Sequence, residues 1–232
     1  MHDTLTYLGA PPIERKNHHN EILRYLIYAF SENNLLVLSH DEVVHLKRAL
    51  LEKMPGDERQ KFANLRLLLA IIFTMPGKKL LFMGGEIAQR REWSEDRSLD
   101  WDVLDFPAHR GVQELVKDLN LLYRREAAMH ELDFDPSGFS WIDFDDREKS
   151  IISFVRTARG PPQEDLVFVF NFTPVFRHDY CIGMPSSGEW QEIMNTDASR
   201  YGGSNVVNFL PLITQPGRYH NRSFITALTS LC

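Results

Sequence analysis

Two kinds of hydrophobic spacing divide this chain, and the change between them constrains its fold more than any motif. Before residue 131 the apolar runs alternate between helix length and strand length. Ile22, Leu23, Tyr25, Leu26, Ile27, Ala29 and Phe30 give residues 13–30 a broad apolar face, which predicts a helix. Asn33-Asn34 breaks it, and Leu35–Leu38 follows, an apolar run too short for a helix. Asp57-Glu58-Arg59-Gln60 opens a second helix, with acids suited to the positive end of the helix dipole. That helix carries Phe62, Ala63, Leu65 and the run 67–72, apolar almost all round, so it should be covered on both sides. Pro76-Gly77 ends it, and Leu80-Leu81-Phe82-Met83 reads as a second buried strand closed by Gly84-Gly85-Glu86. A third helix is expected over residues 110–130, with Val112, Leu115, Val116, Leu119, Leu122 and Tyr123 at helical spacing. Helix and strand in alternation is the pattern of a parallel α/β sheet or barrel.

After Glu131 only short β-type runs remain. Strands are expected at 139–144, 151–155, 166–172, 180–182, 189–194 and 224–228, divided by the charged turn at 145–149 and a Gly160-Pro161-Pro162 loop. Trp141 and Trp190 fall in these strands and should be core. The spacing suggests an antiparallel β-sandwich of about a hundred residues. A length of 232 residues fits two modest units, 1–130 of α/β type and 131–232 all-β, with the boundary near 131–136.

Net charge excludes some partners. With 26 Lys and Arg against 32 Asp and Glu the chain carries −6, which argues against nucleic acid or an anionic membrane. The two cysteines, Cys181 and Cys232, make no disulfide framework and fit a reducing compartment. The longest apolar stretch, 67–75, is too short to span a bilayer, and residues 1–4 begin no secretion signal. Asn171-Phe172-Thr173 and Asn221-Arg222-Ser223 match the glycosylation sequon by chance on that reading. A cytoplasmic location is expected.

The chemistry concentrates where the first strand ends. Ser39-His40-Asp41-Glu42-Val43-Val44-His45 follows the apolar run directly, and loops at the carboxyl ends of barrel strands form the active face. Carboxylates there suit glycoside chemistry, in which one acid protonates the leaving oxygen and another attacks or stabilises an oxocarbenium-like centre. Asp41 is the candidate stabilising carboxylate, His40 the candidate donor to a sugar hydroxyl. Glu42 is a further substrate-binding candidate. Trp93 and Trp101 lie in a polar loop with Arg90, Arg91, Asp96 and Asp100 and could stack on sugar rings or anchor the loop. Glu42 and His45 have the Glu-x-x-His spacing of di-iron bundles, but that motif sits in pairs inside long helices, so no metal is expected. His18-His19 reads as a helix cap or packing pair, and Gly84-Gly85 as a tight turn. No Gly-x-Ser-x-Gly elbow, phosphate loop or dinucleotide fingerprint occurs, and no cofactor is expected.

The segments Ser39–His45, Lys53-Met54-Pro55-Gly56-Asp57, Lys61–Arg66, Pro76–Gly84, Arg91-Glu92-Trp93 and Ser98-Leu99-Asp100-Trp101 resemble the 1,4-α-glucan (glycogen) branching enzymes of the α-amylase superfamily. Val169–Pro174, Asn195-Thr196-Asp197 and Tyr201–Asn205 continue the similarity, in the family's order and spacing, from Met1 to about Asn205. The resemblance implies the carboxyl-terminal part of a (β/α)8 TIM barrel followed by an antiparallel β-sandwich. It implies an enzyme that breaks an α-1,4 link, holds the glycosyl chain covalently and passes it to a 6-hydroxyl. His40-Asp41 matches the family's last catalytic segment, whose Asp stabilises the transition state and whose His contacts sugar.

The family's nucleophilic Asp and acid/base Glu lie on earlier strands, and Met1–Thr4 matches a point after the sixth. Counting agrees, since a barrel takes about 250 residues for eight strands and only two convincing strands precede residue 131. The chain is therefore expected to be inactive alone, with α-glucan, the missing amino-terminal part of the enzyme or its own copies as partners. Leu46 and Arg48 stand where the family has small residues, and 221–232 lacks the expected Pro-rich final strand. A non-catalytic glucan-binding or interaction fragment is the alternative, and a maltooligosyl-trehalose-type hydrolase a third reading.

Overall fold

The structure, a computed structural model, describes residues 1–160 and 164–232. The expected Gly160-Pro161-Pro162 loop lies, beyond Gly160, outside the described residues. In the amino-terminal half the helices are α1 (His2–Gly9), α2 (His19–Leu23), α3 (Tyr25–Tyr28), α4 (Leu50–Lys53), α5 (Glu58–Thr74) and α6 (Pro107–Arg125). The single helix expected over 13–30 is instead a 3-10 turn, Pro12–Asn17, followed by the two short helices α2 and α3. The turn forms around Arg15. Its guanidinium is buried and donates to the carbonyls of Leu8 (2.7 Å), Ala10 (3.2 Å) and Phe172 (2.8 Å), which a continuous helix could not present.

Strands β1 (Leu35–Leu38) and β2 (Lys78–Leu81) pair in parallel, Leu35 opposite Lys78 and Leu38 opposite Leu81. β2 thus begins two residues earlier than its apolar run. Register with β1 sets its ends, and the lysine ammonium groups lie over aromatic rings, Lys78 over Phe134 and Lys79 over Tyr123. The helix α5 starts at a capping box. The Asp57 carboxylate accepts from Gln60 N–H and the Gln60 side chain accepts from Asp57 N–H, both at 2.9 Å. The helix α6 starts three residues before the expected Arg110, with Pro107 in its first turn. It stops at Arg125 because Glu126 is extended (φ −91°, ψ 112°). Among the described residues no third strand joins β1 and β2, so a barrel is not visible.

The carboxyl-terminal half is antiparallel. Strands β3 (Phe139–Asp146), β4 (Ile151–Arg156) and β5 (Leu166–Asn171) form one sheet in that order. Strands β6 (Arg177–Met184), β9 (Gln215–Tyr219) and β10 (Arg222–Leu231) form a second, in the order β6-β10-β9. The strands β7 (Glu189–Trp190) and β8 (Leu212–Ile213) make a two-residue pair. The strand expected over 189–194 therefore ends at Trp190, and β8 and β9 were not foreseen. Trp141 and Trp190 are half-buried at the rims of two cores rather than inside them.

Alternation along β4 and β5 explains the layering. Ile152, Phe154, Phe168, Phe170 and Phe172 face the helices and join Leu65, Leu68, Leu69, Ile72, Leu115 and Leu119 in one continuous core. Ile151, Val167 and Val169 face the other way, onto Tyr180, Ile182, Met184 and Leu228 of the second sheet. The first sheet is the middle of three layers, which is why every residue of β4 is buried.

Candidate functional site

Ser39 leaves β1 in an extended conformation, and its hydroxyl accepts from Asp41 N–H (3.3 Å), opening a 3-10 turn over His40–Glu42. The turn brings His40 Nε2 to 3.4 Å from Asp41 Oδ1 and leaves both side chains in solvent, 56% and 71% exposed. The Ser39 hydroxyl also lies 3.3 Å from Asp41 Oδ2, so the exposed carboxylate has local partners on both oxygens. Phe82 continues the parallel ladder past β2, its N–H donating to Leu38 O (2.9 Å). Its ring lies 5.8 Å from His40 and 5.3 Å, edge-on, from Trp93. His40, Phe82 and Trp93 thus form an aromatic row beside Asp41, with flat apolar faces of the sort that suit sugar rings.

The loop after this turn is unusual. His45, Leu46 and Arg48 all have left-handed backbone, φ 56°, 67° and 66°. Each such non-glycine residue costs on the order of 1 kcal/mol or more. Glu92 meets the loop from the opposite side and accepts from Leu46 N–H (3.1 Å) and Arg48 N–H (2.6 Å). The Arg48 amide in particular holds the Glu92 carboxyl below the usual glutamate range. Trp93 N–H donates to Val43 O at 3.0 Å, Lys47 Nζ to Asp41 O at 2.8 Å and Lys53 Nζ to Lys47 O at 2.6 Å. Burial lowers the Lys53 pKa while the half-buried Glu42 opposes that shift.

The structure therefore brings His40, Asp41 and Trp93 together around Phe82. Trp101 is exposed at the start of another 3-10 turn, Trp101–Asp105. In the same polar loop Asp100 is buried and pairs with Arg91 (Nε to Oδ2 2.8 Å), which holds the Asp100 carboxyl below its usual range. Phe82 and Glu92 were missed by sequence reasoning. Signals existed for both: Phe82 stands at the end of the second strand, and Glu92 lies inside the Arg91-Glu92-Trp93 segment. His19 packs as expected, edge-on to Tyr7 with Nε2 3.0 Å from Phe144 O. A cavity of about 480 Å³ lies elsewhere, bordered by α5, α6, β5, the 186–196 segment and the end of β10, and none of His40, Asp41, Glu42, Phe82, Glu92 and Trp93 lines it.

Residues 141–231 match the family described as the alpha amylase, C-terminal all-beta domain. Over 229 residues the chain is 54% identical to the 1,4-alpha-glucan branching enzyme GlgB of Aquifex aeolicus (strain VF5), covering 99% of this chain and 36% of that protein. Its identity to the enzyme of the same name from Rubrobacter xylanophilus is 52% over 230 residues, 99% of this chain and 31% of that one. The chain thus spans about a third of the length of these relatives. Among solved structures, a pullulanase from Paenibacillus barengoltzii complexed with maltotetraose aligns with a TM-score of 0.59 at 16% identity, over 96% of this chain and 35% of that one. An alpha-amylase from H. orenii aligns at 0.52 and 13% identity, over 99% and 46%. At those identities the structures speak for the fold alone, an amylase-type architecture.

Proposed function

We propose, from the premise that this chain is a relative of the 1,4-α-glucan branching enzymes, that it supplies one edge of an α-glucan site and cannot complete that site alone. The observation that carries this is the His40–Asp41 pair at the end of β1, solvent-facing and flanked by Phe82 and Trp93. In this reading Asp41 stabilises positive charge at the anomeric carbon. His40 donates to a sugar hydroxyl, Trp93 stacks on a glucose ring, and Glu42 borders the glucan.

Residues 1–130 correspond to the last strands and helices of a β/α-barrel, with β1 and β2 as two of eight strands, and 131–232 to its all-β companion. Retaining transfer needs a nucleophile and an acid about 5 Å apart. Asp41 fills neither role here, so both must come from polypeptide beyond these two strands. Incubated with amylose, the purified chain should give no α-1,6 linkages by proton NMR; measurable branching would overturn the incompleteness. Titration with maltoheptaose should shift the resonances of 39–45 and the Trp93 indole. Shifts confined to the β-sheets would favour the alternative, a non-catalytic glucan-binding fragment.

A further inference from the structure

Three left-handed non-glycine residues within His45–Arg48 need something to hold them, and the usual means is missing. Leu46 is 94% exposed, and the flanking His45, Lys47 and Arg48 are exposed as well, so burial does not fix the loop. Besides the Lys53 ammonium on the Lys47 carbonyl, what converges on its amides is one carboxylate. Both oxygens of Glu92 are used, Oε2 by Leu46 N–H and Oε1 by Arg48 N–H, a small nest of backbone donors around an anion. The next residue ties the loop's other end, through Trp93 N–H to Val43 O. Residues 92 and 93 therefore clasp the loop at both ends.

We propose that Glu92 is a positioning residue, whose carboxylate holds the strained 45–48 loop in register with Asp41 and Trp93. The inference rests on the glucan-site reading for its purpose, though not for its geometry. Two couplings give the clasp its reach. The loop's own Lys47 bonds the Asp41 carbonyl, so loop and turn move together. Trp93 lies against Phe82, which lies against His40, so displacement of 92–93 would shift the aromatic row. Glu92 itself bonds only backbone amides of the loop, which is why it is placed as a positioning group and not a catalytic one.

Glu92→Gln tests this, because a neutral amide keeps the shape but offers one acceptor oxygen in place of two. Amide hydrogen exchange of this chain should accelerate at Leu46 and Arg48 by about tenfold or more, the scale of one lost charged hydrogen bond. Amides outside 43–48 should keep their rates, because Glu92 bonds only this loop. Unchanged exchange in Glu92→Gln would overturn the proposal. So would acceleration spread equally over amides outside 43–48, which would mark a general loss of stability rather than release of the loop. Maltoheptaose separates the purpose from the geometry. Shifts at Trp93 that weaken in Glu92→Gln support the proposal in full. No binding by the parent chain, with exchange behaving as expected, would leave the clasp standing and overturn the glucan reading.

Discussion

Arg156 and Asp133 meet inside the molecule, each almost fully removed from water. Asp133 Oδ1 accepts from Arg156 (2.8 Å) and from Gly77 N–H (3.2 Å), while Oδ2 accepts from Lys78 (3.0 Å) and Tyr123 (2.8 Å). Three more Arg156 protons go to the carbonyls of Thr74, Met129 and Gly138. One ion pair thus ties α5, β2, α6 and β4. Replacing Arg156 by Met leaves the buried carboxylate with Lys78 as its ion-pair partner and should cost about 3 kcal/mol in urea unfolding, the low end for a broken buried pair. Burial pushes the Asp133 carboxyl up, but Lys79, Arg156 and Lys78 together outweigh it and hold it below the usual aspartate range. A depressed carboxyl stabilises the fold fully above its unfolded pKa, near 4, and that contribution is lost as pH falls through the native value. The urea midpoint should therefore drop on acidification below about pH 4, with a shallower drop in Asp133→Asn. An equal slope in that variant would assign the acid limb to other carboxyls.

At the scale of elements, α5 was legible from its start signal and both α5 and α6 from long periodic runs, though the start of α6 at Pro107 was not read. Removing the cap by Asp57→Ala should cost about 1 kcal/mol, read as a lower thermal midpoint. Gly111 in α6 shows the limit of such reading. Alone, a mid-helix glycine invites Ala, worth roughly 0.5–1 kcal/mol. In the fold a Cβ there would sit 2.5 Å from the Tyr201 carbonyl oxygen. Gly111→Ala should therefore destabilise, by about 1–3 kcal/mol as overpacking does; a gain in stability would show that the 201–202 loop yields. The 13–30 segment was misread for a related reason. Its period is helical, but Arg15 bends the chain to reach carbonyls and Asn64 (2.8 Å) that no local pattern announces. In the candidate site, the strand end and its acid were visible in the sequence. The aromatic row was not, because Phe82 and Trp93 join His40 only when two parallel strands align.

For the whole molecule, open edges govern behaviour. The strands β1 and β2 form a sheet of two, and β5 ends its sheet beside the 480 Å³ cavity. Ile27, Tyr28 and Leu35 are 71%, 67% and 53% exposed. Unpaired edges next to apolar surface favour self-association, so light scattering should report oligomers at micromolar concentration. A monodisperse monomer would show these edges to be protected in solution. No helix among the described residues is long and apolar enough to cross a membrane. The sequence by itself determined what is local: the change from alternating helix and strand to short β-runs, the start of α5, and the acid and imidazole at the end of β1. Tertiary structure alone decided what depends on distant partners. It placed the first β-sheet between helices and second sheet, and it buried Arg15 against Phe172 and Asn64 and Arg156 against Thr74, groups far off in sequence. It also folded Glu92 back onto an exposed loop that local preferences would not have shaped. The reason is that spacing records which face a residue presents, whereas a buried charge or a left-handed turn is stable only when a remote group meets it.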